Sequence, residues 1–122
     1  MATLLNETRG PGFFIAHEAN GTISRETIVV DTGALAVGTI LGKITASGKY
    51  VQVAPAAVDG SEVAAGILYD AVDATAGDVE AVAIVRHAEV NKDELVYPTG
   101  ATQPQIDAID AQLLALQIKT LV

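Results

Sequence analysis

Apolar residues come in short bursts along this chain, each ended by a break rich in glycine, asparagine or small polar residues, and that rhythm predicts many short strands. Residues 13–18 (FFIAHE) read as a first strand. Asn20-Gly21 follows, a dipeptide suited to a type I′ hairpin turn, whose two central residues both need positive φ. Ile28, Val29 and Val30 form the next run, closed by Thr32-Gly33. Residues 38–54 carry a hairpin pattern, in which Ile40, Leu41 and Ile44, then Tyr50, Val51 and Val53, flank Ala46-Ser47-Gly48-Lys49. After a loop at 55–61, residues 65–72 (AGILYDAV) give another strand, and residues 79–90 a long one. In the latter, Val82, Ile84 and Val90 occupy one parity and Val79 and Val85 the other, so its middle is expected to be buried on both faces. A last short strand is expected at 94–97, stopped by Pro98.

The period then changes. Thr102 and Gln105 have the spacing of a capping box, and Pro104 falls in the first turn, where its missing N–H costs little. Ile106, Ile109, Leu113 and Leu116 recur as one apolar stripe, which assigns that face of the helix to the core. Residues 119–122 read as a closing or edge strand. The fold class is therefore mainly β (α+β), a small and partly closed β structure with one C-terminal helix. Gly10-Pro11-Gly12 suits neither helix nor strand, so residues 1–12 are expected to form a flexible arm ahead of a single β-rich domain at 13–122. Leu4 and Leu5 lie in that arm, either as a docking segment or packed on their own domain.

Half of the 122 residues are apolar, yet only Phe13, Phe14, Tyr50, Tyr69 and Tyr97 are aromatic, so the core must be built from Val, Ile, Leu and Ala. The chain has no cysteine, which removes disulfides, thiolate metal sites and thiol catalysis. The net charge is −8 and the seven Lys and Arg residues are scattered, so neither nucleic acid nor an anionic membrane is an expected partner. No stretch approaches the roughly 18 consecutive apolar residues of a membrane span, and the opening residues lack the features of a secretion signal.

Candidate chemistry is sparse. His87-Ala88-Glu89 has the His-x-Glu half of a zinc deaminase site without the cysteines that complete it. His17 and His87 are the only histidines, too few for a three-histidine metal site. Asp70, Asp73 and Asp78 lack the spacing of an EF-hand loop, and Gly38-x-x-x-Gly42 lacks the ending of a phosphate-binding loop. Ser24 has no nucleophile-elbow context. Ser24-Arg25-Glu26 admits two readings: a strand edge whose charges pair with each other or with neighbours, or a contact site, since arginine suits bidentate pairing at interfaces. No nucleophile, base and orienting group combine, so neither an enzyme nor a cofactor is expected.

Residues 18–26 (EANGTISRE), residues 38–43 (GTILGK) running into Gly48-Lys49-Tyr50, residues 64–68 (AAGIL) and the late helix entering Leu116-Gln117-Ile118 together resemble the tailed-bacteriophage head decoration protein family. The resemblance implies a β-clip-like fold, assembled as homotrimers on the outer surface of the expanded head. It implies the major capsid protein and sister copies as partners, an arm that orders on binding, and a virion protein made in the host cytoplasm. The candidate contact residues are then Leu4, Leu5, Phe13, Phe14, Ser24, Arg25 and Glu26. The alternatives are another small structural assembly protein or a hammerhead-type lipoyl or biotinyl module. In the hammerhead reading Lys49 would sit at a hairpin tip, although the only methionine is Met1 and a biotin-type lysine flanked by methionines is lacking.

Overall fold

The computed structural model describes residues 11–19 and 21–122. Ten strands are described: β1 (Ile15–Glu18), β2 (Arg25–Val30), β3 (Ala34–Leu35), β4 (Ile40–Lys43), β5 (Tyr50–Gln52), β6 (Ala64–Leu68), β7 (Val72–Asp73), β8 (Val79–Ile84), β9 (Ala88–Asn91) and β10 (Ile118–Leu121). One turn of helix, α1 (Gly21–Ser24), precedes β2, and the long helix α2 (Gln103–Ala115) precedes β10. The chain is mainly β, as its rhythm predicts. Among the described residues no helix is long and apolar enough to cross a membrane.

Five strands close into a barrel in the order β2-β5-β4-β6-β8, and the ring is sealed by β2 against β8, antiparallel from Arg25↔Ile84 to Val30↔Val79. Ile28, Val30, Leu41, Tyr50, Leu68 and Ala83, drawn from all the barrel strands, fill its interior together with Val85 just past β8. Their neighbours of opposite parity, Ile40, Ile67 and Ile84, point outward into a second cluster. There they meet Ile109 and Leu113 of α2, Val90 of β9, Ile118 of β10 and Phe14. β4, β6 and the end of β8 are thus covered on both faces, which is why they read as unbroken apolar runs.

The second layer is a three-stranded sheet, β1-β9-β10. β9 runs antiparallel to β1 and parallel to β10, and a parallel pair needs a crossover. α2 supplies it. Its capping box is formed: Gln105 N–H donates to the Thr102 hydroxyl at 3.4 Å, and Thr102 N–H to Gln105 Oε1 at 2.9 Å. Ile109 and Leu113 are buried and Leu116 packs against the same cluster.

Four sequence expectations are corrected. β1 and β2 are not hairpin partners across Asn20-Gly21: β1 pairs with β9, β2 with β8, and α1 lies between them. Asn20 itself lies outside the described residues. The strand expected at 79–90 is two strands in different sheets, separated by a corner at Arg86-His87, and the first half of β8 is only partly buried. The strand expected at 65–72 stops at Leu68, and β7 pairs instead with β3. In place of the strand at 94–97 there is a turn of 3-10 helix (Lys92–Glu94) followed by a single parallel bridge, Thr39↔Val96. The hairpin at 38–54 forms as read, with Ile44 N–H donating to Lys49 O and Gly48 N–H to Ile44 O, both at 2.8 Å.

α2 is fastened to the segment before it by Asp110, which accepts from the Tyr97 hydroxyl at 2.5 Å and from Lys92 Nζ at 2.8 Å. Burial first, and the Asp110 hydrogen bond second, push the Tyr97 phenol pKa up. Burial also raises that of Tyr50. Both sites favour the protonated phenol in the folded state. Their stabilisation is complete below the ordinary phenol value of about 10 and is lost as pH rises above it. Denaturant melts should therefore be level to about pH 9 and then weaken by up to about 1.4 kcal/mol per pH unit for each phenol that ionises only on unfolding. Tyr97→Phe should flatten that alkaline slope and leave the part due to Tyr50. An unchanged slope in Tyr97→Phe would place the alkaline sensitivity elsewhere.

Candidate functional site

The candidate contact residues that the structure describes gather where the chain enters the barrel. Pro11 and Gly12 lead into β1 against Tyr69, and Gly12 N–H donates to Tyr69 O at 2.8 Å. Gly12 has φ +68°, and a Cβ there would lie 2.8 Å from Tyr69 Cε1, so only glycine seats the backbone this closely on the ring. On the same ring lies Arg25, its guanidinium carbon 4.2 Å from the ring centroid. The guanidinium also grips the Glu18 carboxylate with two hydrogen bonds, Nη2 to Oε1 at 2.6 Å and Nε to Oε2 at 3.2 Å. That hydrogen bond is the main cause pushing the Arg25 pKa up. Glu18, Arg25, Tyr69 and Gly12 thus form a platform beside the first described residues.

Ser24 and Glu26 are also engaged. Ser24 is fully buried and its hydroxyl donates to His87 O at 2.9 Å, tying α1 to the corner between β8 and β9. That partner is a carbonyl and supplies no general base to the hydroxyl. Glu26 accepts from Arg86 Nη2 at 2.8 Å, and Arg86 Nη1 donates to Ile23 O at 2.7 Å. The charges of the Ser24-Arg25-Glu26 run therefore pair with neighbours and not with each other. Phe13 and Phe14 divide: Phe14 is fully buried in the core cluster, whereas Phe13 is 49% exposed. Leu4 and Leu5 lie outside the described residues.

Sequence reasoning missed Tyr69 as the centre of the platform. It is remote from Arg25 in the chain, and the one local signal was an aromatic residue in a chain that has few. Elsewhere the polar residues serve local structure. Asp73 accepts from Thr75 N–H and hydroxyl, which lowers its pKa. Asp78 is paired at 2.6 Å with Lys49, the residue of the hammerhead reading, and that hydrogen bond lowers the Asp78 pKa and raises that of Lys49. Among the described residues no three His, Asp or Glu side chains are grouped to hold a metal ion.

A search of curated proteins finds no match. A scan against family models does: the model of bacteriophage lambda head decoration protein D matches residues 4–118. The match takes in every barrel strand, the three-stranded sheet as far as the start of β10, α2 and the platform residues. It favours the decoration reading over the hammerhead one and supports a structural role on a phage capsid. The chain belongs to the bacteriophage lambda head decoration protein D family.

Proposed function

We propose that this protein decorates and stabilises a phage head, binding the outer surface of the expanded shell as trimers at three-fold sites, with the major capsid protein as its partner. The family match over residues 4–118 carries this reading. Residues 1–12 act as a docking arm on a body formed by residues 13–122, and the role is structural, without catalysis or cofactor. The arm orders on the capsid and adds backbone hydrogen bonds at a sheet edge, with Leu4, Leu5 and the exposed Phe13 as apolar contacts. Arg25, paired with Glu18, stacks on the Tyr69 ring that seats Gly12, at the junction of arm and body. The protein is made in the host cytoplasm and needs neither nucleic acid nor membrane to bind.

A ligand that prefers the expanded lattice stabilises that lattice by mass action, in proportion to the logarithm of its free concentration over Kd. The test is co-sedimentation with expanded and unexpanded heads prepared without this protein. Saturable binding to expanded heads alone is expected, at up to one copy per capsid subunit if all three-fold sites fill. Absence of binding to either form would overturn the proposal.

A further inference from the structure

The exposed face of the three-stranded sheet carries a charged row that the proposed arm contact does not use. His17 of β1 and Lys119 of β10 both stand opposite Glu89 of β9, so three exposed polar side chains cross the sheet on one face. With His87, Leu114 and Gln117 they line an open cavity of about 590 Å³. His87 sits at its rim with φ +54°, a left-handed backbone that a non-glycine residue adopts only when its surroundings impose it. Three hydrogen bonds do so: the His87 carbonyl accepts from Ser24 Oγ and from Ala19 N–H, and its own N–H donates to Leu116 O. The ring is thereby presented to solvent beside the row. Gln117, at φ +66°, follows the end of α2, where a left-handed residue is usual. Leu114, 59% exposed, adds an apolar wall.

The charge pattern states what such a recess suits. Among the described residues, Arg25, Lys49, Arg86 and Lys92 each form an ion pair, whereas Lys119 and Lys43 form none. In a chain of net charge −8, the recess therefore offers, around the Glu89 carboxylate, an ammonium that forms no ion pair among the described residues and two imidazole rings in one place. Imidazole N–H and ammonium groups are donors to carboxylate oxygens. The recess is also continuous with the arm, because residues 11–14 lead directly into β1, which contributes His17.

We infer that this recess is a second contact with the head and receives a carboxylate-bearing segment of the capsid subunit through Lys119, His17 and His87, with Leu114 as the apolar rim. The inference rests on the decoration reading and places the body, as well as the arm, against the capsid. Glu89, in the middle of the row, opposes an acidic partner and limits affinity.

The experiment compares head binding by the full-length protein with that of Lys119→Glu, Glu89→Gln and Lys43→Glu, over a range of salt. Lys119→Glu should weaken binding about tenfold and flatten its salt dependence, and Glu89→Gln should tighten it about threefold, as expected for charges at a complementary interface. Lys43→Glu makes the same change in net charge on β4, outside the recess, and should leave binding unchanged. Equal losses in Lys119→Glu and Lys43→Glu, or unchanged binding and salt slope in Lys119→Glu and Glu89→Gln, would overturn the recess contact while leaving decoration intact. So would Lys119→Glu altering self-association in sedimentation without altering head binding, which assigns the recess to sister copies. Failure of the unaltered protein to bind heads overturns both readings.

Discussion

Gly42→Ala is expected to destabilise the fold by about 3 kcal/mol or more, lowering the melting temperature by roughly 10 °C, although it adds a single methyl group. Gly42 pairs with Val51 on one side and Ala64 on the other, at the point where the β4–β6 register shifts. A Cβ there would overlap the carbonyl oxygen of Ser61 and crowd the rest of its backbone. That backbone has little room to yield. Ser61 O accepts from Ala54 N–H at 3.0 Å, and its hydroxyl donates to Asp59 at 2.5 Å. Asp59 also accepts from Ser61 N–H, and these bonds lower its pKa. Displacing Ser61 thus disrupts the hydrogen-bonded loop between β5 and β6. Gly100→Ala separates the steric cost from the backbone cost. Gly100 has φ +75° with open space around it, so its substitution should lose only about 1 kcal/mol. Thermal or denaturant melts of the two variants measure the contrast, and equal losses would show that crowding at Ser61 is not what Gly42 avoids.

The same contact shows what the sequence could and could not convey. Three local signals hold in the structure. The Thr102–Gln105 capping box, the Ile109 and Leu113 stripe and the 38–54 hairpin are each specified within a few residues, and each formed. The barrel was legible only as partial closure, because its sealing pair, β2 with β8, joins residues far apart in the chain. Asn20-Gly21 satisfied the chemistry of a hairpin turn, but longer pairings with β8 and β9 took both flanking strands elsewhere. The corner at Arg86-His87 carries no glycine, proline or asparagine. A histidine held left-handed by hydrogen bonds from other elements makes that bend, so residues 79–90 read as one strand. The site behaved alike: Ser24-Arg25-Glu26 stood out as a charged interruption, yet the partners that define it, Tyr69 and Arg86, come from other elements.

Deleting residues 2–12 should reduce head binding at least about a hundredfold, because strand addition by an arm draws its affinity from a continuous run of backbone hydrogen bonds. The fold should survive. Among the described residues, the deletion removes the Gly12 N–H bond to Tyr69 O, the bond from Ile15 N–H to Gly12 O and the contact of Gly12 with the ring, while Phe14 and the rest of the buried core stay in place. Phe14 must stay. It is fully buried among Ile40, Val90 and Ile118, so a cut two residues further on, or Phe14→Ala, should cost about 3–5 kcal/mol and mimic a binding defect by unfolding the protein. Phe13→Ala, at a half-exposed position, should leave the melting temperature nearly unchanged and weaken binding only if the arm's contact extends that far. Leu4→Asp with Leu5→Asp, which keeps the arm at full length, distinguishes the two ways an arm can bind. If the leucines anchor it, this variant should bind as poorly as the deletion. If backbone pairing carries the affinity, it should bind nearly as well as the unaltered protein while the deletion does not. Full binding by the deletion variant would remove the arm from the mechanism and leave the body to supply the whole capsid contact.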